Sequence, residues 1–428
     1  MKKNIFVLLT AVFALNITSC KNEMTDKKNV EIAKPDVETV KPDVENAKPI
    51  ELTLKQTEKV SLENRFSFEI FREVSTLSNK PNTFFSPLSL HFALGMLYNG
   101  ASGETRAEMA EVLGIGIFTD MEINEYYKKM SEALLNIDPK TEMSIANSIW
   151  CRNGFPVKQP FININQKYFD AAVRSLNFNN SDAADIINQW CAEKTKDRIK
   201  EIIESPIDDD VIMYLMNALY FKSKWQFEFD KQGTKQNYFT KTGNQNIMVN
   251  MMEQTTTLPY YADQYLQCVE MPYGNQAFSM VAILPANDMD IDQLIEHLDN
   301  TTWQNIVNNM RKQDVWLKFP RFKVECEIPL NNPVKNVGMQ RIFVPNLANF
   351  SNISDISLYV SNIKQKTFVE VNETGTEAAA VTVVEIKETS ALEPTQIPFF
   401  ANRPFLYLIK EKSTGVILFI GRMDEPKE

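Results

Sequence analysis

Residues 51–428 predict a single domain of mixed α and β structure, of the α+β class, and three observations support this. From Glu51 onward the apolar pattern stays globular to the last residue, with no second Pro- or Gly-rich break. Early segments space their apolar residues for helices. Later segments carry continuous apolar runs of strand length between turn residues. A chain of 428 residues that is 44% hydrophobic can bury a large core without disulfide staples.

Two regions precede the domain. In residues 1–19, Lys2 and Lys3 are followed by an apolar run over 5–15 and then Ile17-Thr18-Ser19-Cys20, the layout of an export signal. The run is shorter than the roughly 20 residues a membrane-spanning helix needs. Small residues before a cysteine resemble the bacterial lipobox. That resemblance implies lipidation at Cys20 and anchoring to a bacterial outer membrane or cell surface; plain secretion with Cys20 incidental is the other reading. Residues 20–50 are polar, and KPDVE recurs at 34–38 and 41–45. One Pro per repeat and no apolar pair rule out a coiled coil, leaving a semi-rigid spacer that holds a domain off a membrane, or a tail with no role.

Within the domain, Val60, Leu62, Phe66, Ile70 and Val74 fall mostly at helical spacing over residues 57–75. A second helix should start at Ser86-Pro87, with Ser as N-cap and Pro in the first turn. The run SMVAIL, between Gly274 and Pro285, reads as a strand covered on both faces. Residues 405–409 and 415–421, on either side of KEKST, read as a C-terminal hairpin with Thr414-Gly415 near its turn. Trp150, Trp190 and Trp225 read as core anchors rather than a ligand cage. Cys151, Cys191, Cys268 and Cys326 lie far apart with no metal-ligand spacing and read as small buried hydrophobes.

The chemistry is narrowed by what the sequence lacks. It has two histidines, His91 and His297, and His91 sits in an apolar helix as a satisfied core residue. There is no G-x-S-x-G, H-E-x-x-H, Walker loop or G-x-G-x-x-G, so neither an enzyme nor a cofactor or metal site is expected. A formal charge of -10, with no basic run interleaved with aromatics, argues against nucleic acid as a partner.

The segment FFSPLSLHFALGMLYNGASGET (84–105) resembles the N-terminal signature of the serpins. The resemblance continues in family order through SIANSIW (144–150), INQWCAEKT (187–195), NALYFKSKWQFEF (217–229) and VEMPYGNQAFSMVAILP (269–285). It ends with LKFPRFK (317–323) and FFANRPFLYLI (399–409). It implies one serpin-type domain with a large central β-sheet, additional sheets, about nine helices and an exposed reactive-centre loop over about 373–398. Lys364-Gln365-Lys366 departs from the family, which often places a His before the Lys.

ETGTEAAAVT (373–382) resembles the serpin hinge, which implies roles there for Glu373, Gly375, Thr376, Ala378, Ala379, Ala380 and Thr382. Counting by twos from Thr376 gives Thr376, Ala378, Ala380, Thr382, Val384 and Ile386, all small or apolar, a period-2 pattern suited to a strand. Gly375 offers a pivot free of Cβ hindrance. From Thr376 to Thr389 is 14 residues, about 46 Å of strand. The family's spacing from the hinge Glu puts the reactive bond at Thr389-Ser390, which suits an elastase-like pocket. Lys387, for a trypsin-like enzyme, and Leu392, for chymotrypsin-like, subtilisin-like or cysteine proteases, remain alternatives. The implied function is suicide-substrate inhibition of serine endopeptidases, with cysteine endopeptidases as a further target class, by a monomer. The alternative is a non-inhibitory serpin acting as a binding or carrier module, against which the small hinge residues argue.

Overall fold

The computed structural model describes residues 46–78, 80–376 and 396–428. Cys20, Ala378, Ala379, Ala380, Thr382, Lys387, Thr389, Ser390 and Leu392 lie outside the described residues. Nine α-helices and fifteen strands are present among those described.

Helix α1 (Leu54–Leu77) begins at an N-cap Thr53 whose hydroxyl accepts from Gln56 N while the Gln56 side chain accepts from Thr53 N, a complete capping box. It begins three residues before and ends two residues after the span 57–75 that the apolar spacing predicts. Its buried face carries Val60, Phe66, Ile70, Phe71 and Val74. Strand β1 (Thr83–Phe85) leads into α2 (Pro87–Tyr98), capped as expected by Ser86, which accepts from Ser89 N. Apolar around its circumference and buried along nearly all its length, α2 packs against both sheets and acts as the axle of the molecule. Next come α3 (Gly103–Val112), α4 (Asp120–Asn136), β2 (Glu142–Arg152), α5 (Gln159–Phe169), β3 (Ala172–Leu176) and α6 (Ala183–Lys194).

After β4 (Met213–Lys224) come β5 (Lys235–Thr240), β6 (Asn246–Ala262), β7 (Leu266–Pro272) and β8 (Phe278–Pro285), then the short α7 (Ile291–His297) and α8 (Asn300–Asn309). Strands β9 (Arg311–Pro320) and β10 (Phe322–Pro329) are separated by Arg321 alone. They are followed by α9 (Asn331–Asn336), β11 (Lys364–Asn372), β12 (Gly375–Thr376), β13 (Ile397–Phe400), β14 (Phe405–Glu411) and β15 (Ile417–Met423).

The strands form two sheets. One orders β1-β15-β14-β8-β7-β6-β9-β13, with β5 on β6; the other orders β10-β11-β12-β4-β2-β3. The SMVAIL run is β8, buried at every position, and the C-terminal hairpin is β14–β15 with Gly415 at φ +76° in its turn. The main core lies between the sheets and under the helices. A second, smaller core forms where α6 covers β2 and β4, built on Trp150, Ile187, Trp190 and Met216. All four described cysteines are free and buried.

One polar cluster sits deep among α1, α2 and α4. Lys59 Nζ pairs with Glu63 Oε1 at 2.8 Å, and the Tyr126 hydroxyl donates to Glu63 Oε2 at 2.7 Å. Burial lowers the Lys59 ammonium despite Glu63 beside it. For Glu63, burial pushes upward, but Lys59, His91 and Tyr126 outweigh it and keep the carboxyl below its ordinary range. His91 is buried against the Phe66 ring, yet neither ring nitrogen has a hydrogen-bond partner among the described residues, so the expectation of a satisfied histidine fails. Burial and the Lys59 charge drop it to about 3, so it packs as a neutral ring.

Candidate functional site: the root of the hinge

Strand β11 alternates buried and half-buried residues up to Asn372. The chain turns at Glu373 and Thr374, then runs back as β12. Gly375 and Thr376 pair antiparallel with Asn372 and Val371 on one side and with Lys224 and Ser223 of β4 on the other. Because β12 is antiparallel to both neighbours, β4 and β11 are parallel to each other and are held one strand apart here, about 9.5 Å. The start of the hinge thus lies as a two-residue strand between the ends of β4 and β11.

Glycine is required at 375. Its φ of +151° lies in a region that L side chains rarely adopt, and a Cβ would stand 2.1 Å from Ser223 O. Thr376 is buried, and its hydroxyl shares a 2.6 Å hydrogen bond with the Tyr273 hydroxyl. Burial pushes the Tyr273 phenol well above its ordinary range, so it stays protonated and available as a donor. The Trp225 ring stacks on Tyr273 with centroids 4.5 Å apart and planes 11° apart. Its Nε1 donates to Asn372 O at 2.9 Å, and its backbone N donates to Thr374 O at 3.0 Å. Trp225 therefore braces the turn twice, Asn372 through its indole and Thr374 through its backbone.

Glu373 is 2% exposed. Arg321 Nε donates to its Oε1 at 2.7 Å, Arg321 Nη2 makes a second bond to the same oxygen, and Thr234 Oγ1 donates to it at 2.5 Å. Phe229 N donates to Glu373 O at 2.9 Å. Burial would raise this carboxyl, but the bonds from Arg321 and Thr234 prevail and hold it below the usual carboxylate range.

Of the residues singled out in the sequence, the structure brings Glu373, Gly375 and Thr376 together. The sequence reading opened the exposed loop at Glu373, whereas Glu373, Thr374, Gly375 and Thr376 are all buried, because the alternation that suits 376–386 to a strand already operates at its first residue. At the far end, Ile397 and Pro398, also assigned to the loop, form the start of β13 beside β9. Arg321, Thr234 and Tyr273 were missed as partners of the hinge. Only Arg321 left a trace in the sequence, as a lone cation between Pro320 and Phe322 where two strands of different sheets meet. Trp225 was read as a core anchor; it is one, and it also holds the turn.

A model of the family described as Serpin (serine protease inhibitor) matches residues 61–426. Human neuroserpin is 33% identical over 84% of this chain and 90% of its own length. The native state of tengpin, a thermophilic serpin, superposes with a TM-score of 0.80 at 31% identity, covering 89% of this chain and 97% of tengpin. Human thyroxine-binding globulin complexed with thyroxine superposes with a TM-score of 0.79 at 26% identity, covering 87% of this chain and all of that one.

Proposed function

The chain belongs to the serpin family, and on that premise we propose that it is an inhibitor of serine endopeptidases that traps its target by inserting the cleaved loop between β4 and β11. The observation that carries the proposal is that Gly375 and Thr376 already form a strand in that position, paired on both sides. Residues 378, 380 and 382, at period-2 spacing from Thr376, are Ala, Ala and Thr in the sequence, so a strand extended through them would not displace core atoms.

The chemistry belongs to the protease. Its nucleophilic oxygen attacks the carbonyl of the bait residue, the peptide bond breaks with the new amino terminus as leaving group, and the fragment C-terminal to the cut stays in the sheet through β13, β14 and β15. The acyl-enzyme then remains tethered to the hinge. Insertion over about 46 Å carries it away before water can attack. Thr389-Ser390 is the proposed bait bond, with Lys387 and Leu392 as alternatives. Cys20 is proposed as a lipid anchor and the residues from 20 to about 45 as its spacer in a monomeric inhibitor at a bacterial surface, the expected spacer over 20–50 being corrected at its end because Ala47 N donates to Asn275 O and Ile50 N to Ser413 Oγ of the domain; radiolabelled fatty acid on the mature chain tests the anchor.

A carrier function is the second reading, because thyroxine-binding globulin shares the fold. The required glycine at 375 and the small residues after it favour inhibition. Incubation with elastase-like, trypsin-like and cysteine proteases should yield an SDS-stable complex, and the mass of the C-terminal fragment identifies the bait bond. Thr376→Arg puts a long cation where a buried hydroxyl meets Tyr273, so insertion should stall and the protein become a substrate. An SDS-stable complex that survives in this variant refutes insertion.

A further inference from the structure

Arg321 holds Glu373 with two of its nitrogens and turns the third toward a second carboxylate. Nε donates to Glu373 Oε1 at 2.7 Å and Nη2 bonds the same oxygen, while Nη1 lies 3.7 Å from Glu428 Oε2. The two anions differ in setting. The Glu373 side chain is 2% exposed, the Glu428 side chain 46%, and the guanidinium between them 28%. Glu428 is brought there by a pinned segment. Asn82 Oδ1 accepts from Asp424 N and Glu425 N, the Asn82 amide donates to Glu425 O, and Lys323 N donates to Lys427 O at 2.6 Å. Asn250 Nδ2 donates to Glu428 Oε1, and Asn250 O accepts from Arg321 N at 2.9 Å. Asn250 therefore fixes both the backbone of the cation and the side chain of its second anion.

At 3.7 Å the Glu428 contact is an ion pair and not a hydrogen bond, so it adds little while Glu373 is held. Opening the turn at 373–374 changes that. It takes away the charge-assisted bonds of Nε and Nη2 and leaves the guanidinium without its main partner. A carboxylate already beside Nη1 can close to bonding distance by side-chain rotation alone. We propose that Glu428 is a positioning residue of the hinge, the acceptor to which Arg321 transfers when Glu373 leaves it, so that the turn opens without stranding the cation. A brace would act in the opposite sense, pressing Arg321 onto Glu373 and keeping the turn shut. Loss of Glu428 therefore tightens the hinge under the proposal and loosens it under bracing. The role stands independently of the inhibitory reading, since its test reads the opening of the turn alone.

The test is hydrogen exchange at the Gly375 and Thr376 amides of the full chain, in wild type, Glu428→Gln, Arg321→Ala and the double variant. Glu428→Gln keeps the size and removes the charge. Exchange at the two amides should slow by about two- to fivefold, the range that an exposed ion pair provides, with exchange in α1 unchanged. In the Arg321→Ala background the same substitution should have no effect, because the cation that is handed over is gone. The proposal is overturned if Glu428→Gln speeds exchange at these amides, which makes Glu428 a brace, if it leaves exchange unchanged, or if the slowing persists without Arg321.

Discussion

Two of the buried glutamates, Glu63 and Glu373, are matched in opposite ways. Glu63 is matched by Lys59 one turn earlier on the same helix, so its cation comes with the element that carries it, and Tyr126 of α4 completes the set. Glu373 is matched by Arg321 and Thr234, which lie far from it in sequence and on other elements. The first arrangement survives as long as α1 does. The second can be released by moving one turn of chain, with no loss of any helix. The Glu63 pair is local to one helix, whereas the Glu373 clamp joins elements far apart in sequence, as the buried Glu270–Lys410 pair of the core strands also does.

The scaffold side should break hardest. Glu63→Ala leaves Lys59 fully buried with no counter-charge, and breaking a buried pair from one side costs about 3–5 kcal/mol. Denaturant unfolding should show that loss, while the double variant Lys59→Met with Glu63→Gln should recover most of it. If the single variant unfolds like wild type, the pair is not the internal brace described here.

At the hinge the same operation should cost less and act locally. Arg321 is partly exposed, so Arg321→Ala should cost about 1–3 kcal/mol, with faster hydrogen exchange at the amides of Gly375 and Thr376 and little change in α1. Acid should act alike. The folded-state value of Glu373 is depressed, so its contribution is present above the ordinary carboxylate pKa near 4.5 and is lost as pH falls through the lower folded value. Arg321→Ala should remove that acid dependence of exchange at the hinge. Uniform exchange changes over the whole chain would contradict a local clamp.

The same contrast decides what could be read from the sequence. Local rules sufficed for α2, because Ser86-Pro87 and an unbroken apolar run need no distant partner, and for the β14–β15 hairpin, whose turn is marked by Thr414-Gly415. The alternation from Thr376 likewise indicated a strand. The clamp was not legible. Arg321, Thr234 and Tyr273 lie between 52 and 139 residues from the hinge groups they bond, and nothing in their own neighbourhoods marks them as partners. His91 shows the opposite limit. Its burial was legible, but its unpaired nitrogens were not, since they depend on which side chains of α1 and α4 face it.

The smallest expected effect tests the finest part of the comparison. Tyr273→Phe keeps the stack on Trp225 and removes one hydroxyl, leaving Thr376 Oγ1 buried without its partner. The cost should be about 1 kcal/mol, read as a modest gain in exchange at Thr376 with the Glu373 clamp intact. If Tyr273→Phe instead loosened Glu373 as much as Arg321→Ala does, the turn at 373–374 would transmit strain from β12 to the clamp. Glu373 and Thr376 would then be one latch, held together by Trp225, whose indole bonds Asn372 and whose backbone bonds Thr374.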